Sequence, residues 1–156
     1  MDINTPFSIW AVNQHVITNH FYDGDLPYSH HLKMVVREAE NFKSLIYNIE
    51  FPLLKSILPS TKEEIIVNSC RGHDLIEDTM VSYNDIMTNG GDSYTADIIY
   101  ALTNEKSKSR SERANPSYYK GIKETAGAQF VKMCDRIANV KYGVMTGSEK
   151  VEMYKK

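Results

Sequence analysis

The chain has 156 residues, of which 42% are apolar and 24% charged, and its net charge is −2. That is apolar material enough for one domain with its own core, at an ordinary charge content, which excludes intrinsic disorder, coiled-coil rods and collagen-like repeats. The weak net charge gives no basic field for a nucleic-acid partner, and apolar runs such as Ile98-Ile99-Tyr100-Ala101-Leu102 are far too short to span a bilayer, so no membrane partner is expected.

A first helix is predicted over 6–19, with Thr5 as N-cap and Pro6 at the first helical position. Residues 20–29, rich in Gly, Asp and Pro, read as a loop. Leu32, Val35, Val36, Ala39, Phe42, Leu45 and Ile46 then recur at spacings of three and four, which predicts one continuous helix. Ser60 and Glu63 form a capping-box pair that opens a helix over 61–78, and Ser82 with Asp85 repeats the pattern for a short helix. After Gly90-Gly91 a helix is expected over 93–103, and residues 104–121 read as a long loop. A last long helix covers 125–145 and a short one 148–154. No segment alternates as a strand would, and no repeat or linker divides the chain. Residues 1–156 are therefore expected to form one all-α domain. The start lacks a basic, apolar leader pattern, and Cys70 and Cys134 cannot make a disulfide framework. A cytoplasmic location is expected, with both thiols in the core.

The segment Arg71-Gly72-His73-Asp74-Leu75-Ile76-Glu77-Asp78-Thr79 carries the chemistry. On a continuous helix, His73, Asp74, Glu77 and Asp78 lie along roughly one face. The apolar turn Ile65-Ile66-Val67 drives that helix into a core, so three carboxylates and an imidazole lose water together. A divalent metal is the economical compensation, and adjacent His73 and Asp74 suit two cis ligands on one ion. Elsewhere, His30 or His31 begins the second helix, and Asp135 interrupts an otherwise apolar helix face with Asn139 one turn later.

An order of His, then His-Asp, then a distant Asp on successive helices resembles the HD-domain metal-dependent phosphohydrolases. The likeness is narrower in Pro27-Tyr28-Ser29-His30-His31, Gly72-His73-Asp74-Leu75-Ile76-Glu77-Asp78-Thr79, Ala101-Leu102-Thr103 and Val131-Lys132-Met133-Cys134-Asp135-Arg136-Ile137-Ala138-Asn139. Over residues 22–141 these are similar to the hydrolase domain of RelA/SpoT proteins and to the small stand-alone hydrolases that remove the 3′-pyrophosphate of (p)ppGpp. The resemblance implies an HD-fold helical bundle and a phosphorylated nucleotide as substrate. It implies a metal set of His31, His73, Asp74 and Asp135, with His31 rather than His30 matching the motif. Two imidazoles and two carboxylates suit Mn²⁺, Fe²⁺ or Zn²⁺, and the resemblance favours Mn²⁺. It also implies that Glu77 and Asp78 orient or deprotonate the attacking water, and that Asn139 lies near the nucleotide sugar and the metal. No histidine follows position 73, which supports one ion per chain. The chain departs from the pattern where Asp23 and Asp25 replace a basic residue before Pro27, and where Tyr142 replaces a small hydroxyl residue. Weaker guanine selectivity is the expectation.

Lys106, Lys108, Arg110 and Arg113 form a basic, serine-rich loop that reads either as solvated surface or as a phosphate clamp. Lys132 and Arg136 flank Asp135, so at least one is expected to face the site. His15 and His20 are expected to have no catalytic duty, and Phe7, Trp10 and Phe42 to pack in the core. Tyr118 and Tyr119 fit either base stacking or packing. Two other functions remain open: an HD-type (deoxy)nucleotide phosphatase or triphosphohydrolase, and a non-catalytic nucleotide-binding regulatory module.

Overall fold

A computed structural model describes residues 4–52, 61–104, 112, 115–148 and 151. The elements are α1 (Pro6–Ile17), β1 (Phe21–Tyr22), β2 (Leu26–Pro27), α2 (Ser29–Asn41), α3 (Lys43–Ile46), α4 (Lys62–Gly72), α5 (Leu75–Asp78), α6 (Tyr83–Thr88), α7 (Ser93–Leu102), α8 (Pro116–Glu124) and α9 (Ala128–Thr146). This is an all-α bundle carrying one small hairpin. Its main core joins Val35, Val36 and Ala39 of α2, Ile65 and Ile66 of α4, Ile98 and Leu102 of α7, and Val131, Cys134 and Ala138 of α9. A second cluster packs Phe7 and Ala11 of α1 against Leu75, Ile86, Ala96 and Ile99. Cys70 and Cys134 are buried and free, and burial pushes the Cys134 thiol up to about 12. No helix among the described residues is long and apolar enough to cross a membrane.

Helix starts follow local chemistry. The Thr5 side chain accepts from the Ser8 backbone N–H at 3.0 Å, and Pro6 opens α1 as expected. The capping box of α4 is formed by Thr61 and Glu64, one residue later than the Ser60–Glu63 pair, since Glu64 Oε2 accepts from the Thr61 N–H at 2.6 Å. Ser60 itself lies outside the described residues. Ser82 and Asp85 close the box of α6.

Four expectations are corrected. The helix over 32–46 breaks at Phe42, whose φ of −108° and ψ of 24° separate α2 from α3. The helix over 61–78 ends at Gly72, and α5 restarts at Leu75 after Asp74 takes φ −105°, ψ 4°. That value lies in the sparsely allowed bridge region where functional residues often sit. His73, Asp74, Glu77 and Asp78 therefore do not share one straight helix face. Part of the predicted loop over 104–121 is α8, opened by Asn115 as N-cap and Pro116, with the Tyr118 hydroxyl donating to the Leu102 carbonyl at 3.0 Å. The loop over 20–29 contains the antiparallel hairpin β1–β2, whose turn places Asp23 (φ 50°) and Gly24 (φ 86°) in the left-handed region. Of the helix expected over 148–154, only Ser148 and Val151 are described.

Candidate metal centre

The site is assembled where α2 begins, where α4 gives way to α5, and midway along α9. His31 lies in the first turn of α2 and is 2% exposed; His73 caps the end of α4 and is 1% exposed. Their Nε2 atoms face each other at 3.3 Å. Asp74 Oδ2 lies 2.8 Å from His73 Nε2 and 3.9 Å from His31 Nε2. Asp135 Oδ1, from α9, lies 3.2 Å from His31 Nε2 and 3.6 Å from His73 Nε2. Ligand atoms of His31, His73 and Asp74 fall within 4.8 Å of one another, and Asp135 approaches the same two nitrogens. His30 stays outside this arrangement, its ring edge-on to Tyr142.

The donor chemistry fits a divalent cation. His73 Nδ1 lies 3.0 Å from the Cys70 carbonyl, which can only accept. The Nδ1 proton is thus held there, so a cation that displaces the other proton would meet the Nε2 lone pair of His73. Burial alone lowers the proton affinity of His73, but Asp74 and then Asp135 outweigh it and hold it well above the ordinary range. Burial pushes Asp74 up, yet the His73 charge and hydrogen bond hold it below the usual carboxylate range. Asp135 is likewise held down by hydrogen bonds from His31 and His73 against its burial. A buried and a half-buried carboxylate that stay ionised call for positive charge between them, which a metal or an imidazolium supplies.

A surrounding set of side chains fixes these groups. The Tyr28 hydroxyl donates to Asp74 Oδ2. Asn139 Nδ2 donates to Asp135 Oδ1 at 2.7 Å and to its carbonyl at 3.0 Å. Lys132 Nζ lies 3.3 Å from Asp135 Oδ2, and Asp135 helps keep Lys132 charged despite its burial. Of the two cations flanking Asp135, Lys132 therefore meets the site. Arg136 lines a neighbouring groove with Tyr119, Ile122, Met133 and Ile137, which Lys132 also borders.

The acid pair takes two directions. Glu77 Oε2 accepts from the backbone N–H of Asn104 at 3.3 Å and from its side chain at 3.2 Å. Asp78 is exposed, with Oδ2 3.9 Å from His20 Nε2. Lys106, Lys108, Arg110 and Arg113 lie outside the described residues.

Sequence reasoning assigned no role to Tyr28, Tyr22, His15 or His20, which cluster here. His20 stacks on Tyr28 at 3.9 Å, and His15 stacks on the same ring at 4.5 Å. His15 Nδ1 meets His20 Nδ1 at 3.1 Å, and burial lowers the His15 pKa to about 4. The available signal was Tyr28 at position i−3 from His31, one helical turn away and on the same side. A cleft of about 230 Å³ opens beside these rings, lined by His20, Tyr22, Asp23, Tyr28, Asn139 and Tyr142 among others.

No family model matches the chain. No curated protein and no solved structure matches it either.

Proposed function

We propose that this chain is an HD-type, divalent-metal-dependent phosphohydrolase acting on a phosphorylated nucleotide, with (p)ppGpp or a close relative as the leading substrate. The observation that supports the reading is the convergence of His31, His73, Asp74 and Asp135 on one buried point, with an acid pair one turn beyond the His-Asp step. These four residues would hold the ion, and the resemblance favours Mn²⁺. When bound, it supplies Lewis acidity toward water and toward a phosphoryl oxygen.

The chain's own groups do the rest. The pair Glu77 and Asp78 orients the attacking water and accepts its proton, with Glu77 held by Asn104. Lys132 offsets phosphate charge as it builds toward the transition state. Asn139 holds the Asp135 carboxylate in place. A purely regulatory nucleotide-binding module has no use for a water-handling acid pair, which argues for catalysis.

The test is a nucleotide panel incubated with Mn²⁺-loaded protein, with products resolved by ion-exchange chromatography. The account expects pyrophosphate and GDP from ppGpp. It expects an adenine alarmone to react within about tenfold of the guanine one, since losing a stacked cation costs on the order of 1–2 kcal/mol. Faster cleavage of 5′-deoxynucleoside triphosphates than of either alarmone assigns the chain to the triphosphohydrolase class instead.

A further inference from the structure

The hairpin β1–β2 contributes none of the four converging side chains, yet one of its residues touches His31 and reaches Asp135 through Asn139. The Tyr22 ring lies flat against His31, with centroids 4.8 Å apart and planes 11° from parallel. Its hydroxyl donates to Asn139 Oδ1 at 2.9 Å, and Asn139 Nδ2 donates in turn to Asp135 Oδ1 at 2.7 Å. The direction of this relay is forced. An ionised Asp135 only accepts, so Asn139 must present its amide nitrogen there and its oxygen to the Tyr22 hydroxyl. Tyr142 secures the arrangement, with its ring 4.9 Å from Tyr22 and edge-on, and its hydroxyl donating to Asp23 Oδ2 at 2.9 Å.

We infer that Tyr22 is a positioning residue for the metal centre: its ring sets the plane of the His31 imidazole, and its hydroxyl, through Asn139, sets the rotation of the Asp135 carboxylate. The hairpin thereby tunes the affinity of the site for its ion. This inference rests on the metal reading above. Ligand-orienting groups of this kind typically govern affinity by fixing rotamers that a free side chain would have to surrender on binding.

Equilibrium Mn²⁺ titration, with thermal unfolding in the absence and presence of Mn²⁺, tests it. The proteins are the wild-type chain, Tyr22→Phe, Tyr22→Leu, Asn139→Ala and the Tyr22→Phe/Asn139→Ala double variant. Tyr22→Phe keeps the stack and should weaken Mn²⁺ binding by about 3- to 10-fold, the worth of one neutral hydrogen bond. It should also shrink the rise in melting temperature that Mn²⁺ produces. Tyr22→Leu loses both contacts and should bind more weakly still. If the effect runs through the amide, Tyr22→Phe in the Asn139→Ala background should change affinity by less than about twofold. Should Tyr22→Leu fail to fold, Tyr22→Phe and the double variant carry the test. A wild-type chain that binds Mn²⁺ while Tyr22→Phe binds equally well overturns the inference alone. So does an undiminished Tyr22→Phe effect in the Asn139→Ala background. A wild-type chain that binds no divalent ion overturns the metal reading and this inference with it.

Discussion

Asp74 is the residue on which the site turns. Its backbone sits between α4 and α5, its carboxylate meets His73 at 2.8 Å, and the Tyr28 hydroxyl binds the same oxygen. Asp74→Ala should abolish Mn²⁺ binding and hydrolysis together while the helical circular-dichroism signal persists, because the apolar clusters do not include it. Glu77→Gln and Asp78→Asn should behave differently. Metal affinity should stay within about tenfold while turnover falls by about 10²–10⁴, the usual weight of general acid–base help. Parallel loss of metal and turnover in these variants would make them ligands or supports. His15 gives a pH prediction that does not need substrate. Its pKa is about 4 when folded, because burial disfavours the charged ring, against 6.5 when unfolded. Between those values the unfolded chain binds more protons, so His15 removes stability as pH falls from about 7 to 4, by about 3 kcal/mol in all. Urea denaturation across that range should show the loss in the wild type and less of it in His15→Gln; equal pH slopes would contradict it.

At the scale of the elements, helix starts were legible in the sequence and helix interruptions were not. Thr5-Pro6, Ser82-Asp85 and the Ser-Thr-Lys-Glu-Glu run each announce a start through side chains that satisfy the first free N–H groups, although the last was read one residue early. Asn115-Pro116 carried the same signal, but Ser, Lys and Arg around it gave no apolar period, and α8 went unread. The apolar spacing gives no sign of the breaks at Phe42 and Asp74. Gly72, the last residue of α4, marks a close approach just before the second break. A Cβ there would stand 2.6 Å from Ile99 Cδ1 and 3.2 Å from Leu75 Cδ1, so both side chains would have to move to admit one. Gly72→Ala should therefore cost about 1–3 kcal/mol of stability by overpacking, and should weaken metal binding by displacing His73. Denaturation and Mn²⁺ titration on the same preparation check both. Thr61→Ala, which removes only a cap, should cost about 1 kcal/mol and leave metal affinity unchanged.

For the whole molecule, the all-α class followed from helical periodicity, and the resemblance carried by the order His, His-Asp, Asp implied the four residues that the fold brings together. What the sequence did not yield was the set that holds them. Tyr22 carries no pattern of its own, since a tyrosine in a Gly-Asp-Pro segment reads as loop until the hairpin brings it against α2 and α9, and Tyr28 offered only its spacing from His31. His20, at the end of the first predicted helix, carries no catalytic signal in the sequence, yet folding brings it within 3.9 Å of Asp78. The bundle brings His31, His73, Asp74 and Asp135 together from elements far apart in sequence, and the account stands on that convergence holding a single ion. Electron paramagnetic resonance titration of the metal-stripped chain with Mn²⁺ tests this most directly. The account predicts saturation at one ion per chain, with binding lost in Asp135→Asn and retained in His30→Ala. Two tightly held ions per chain, none, or loss of binding in His30→Ala would contradict it.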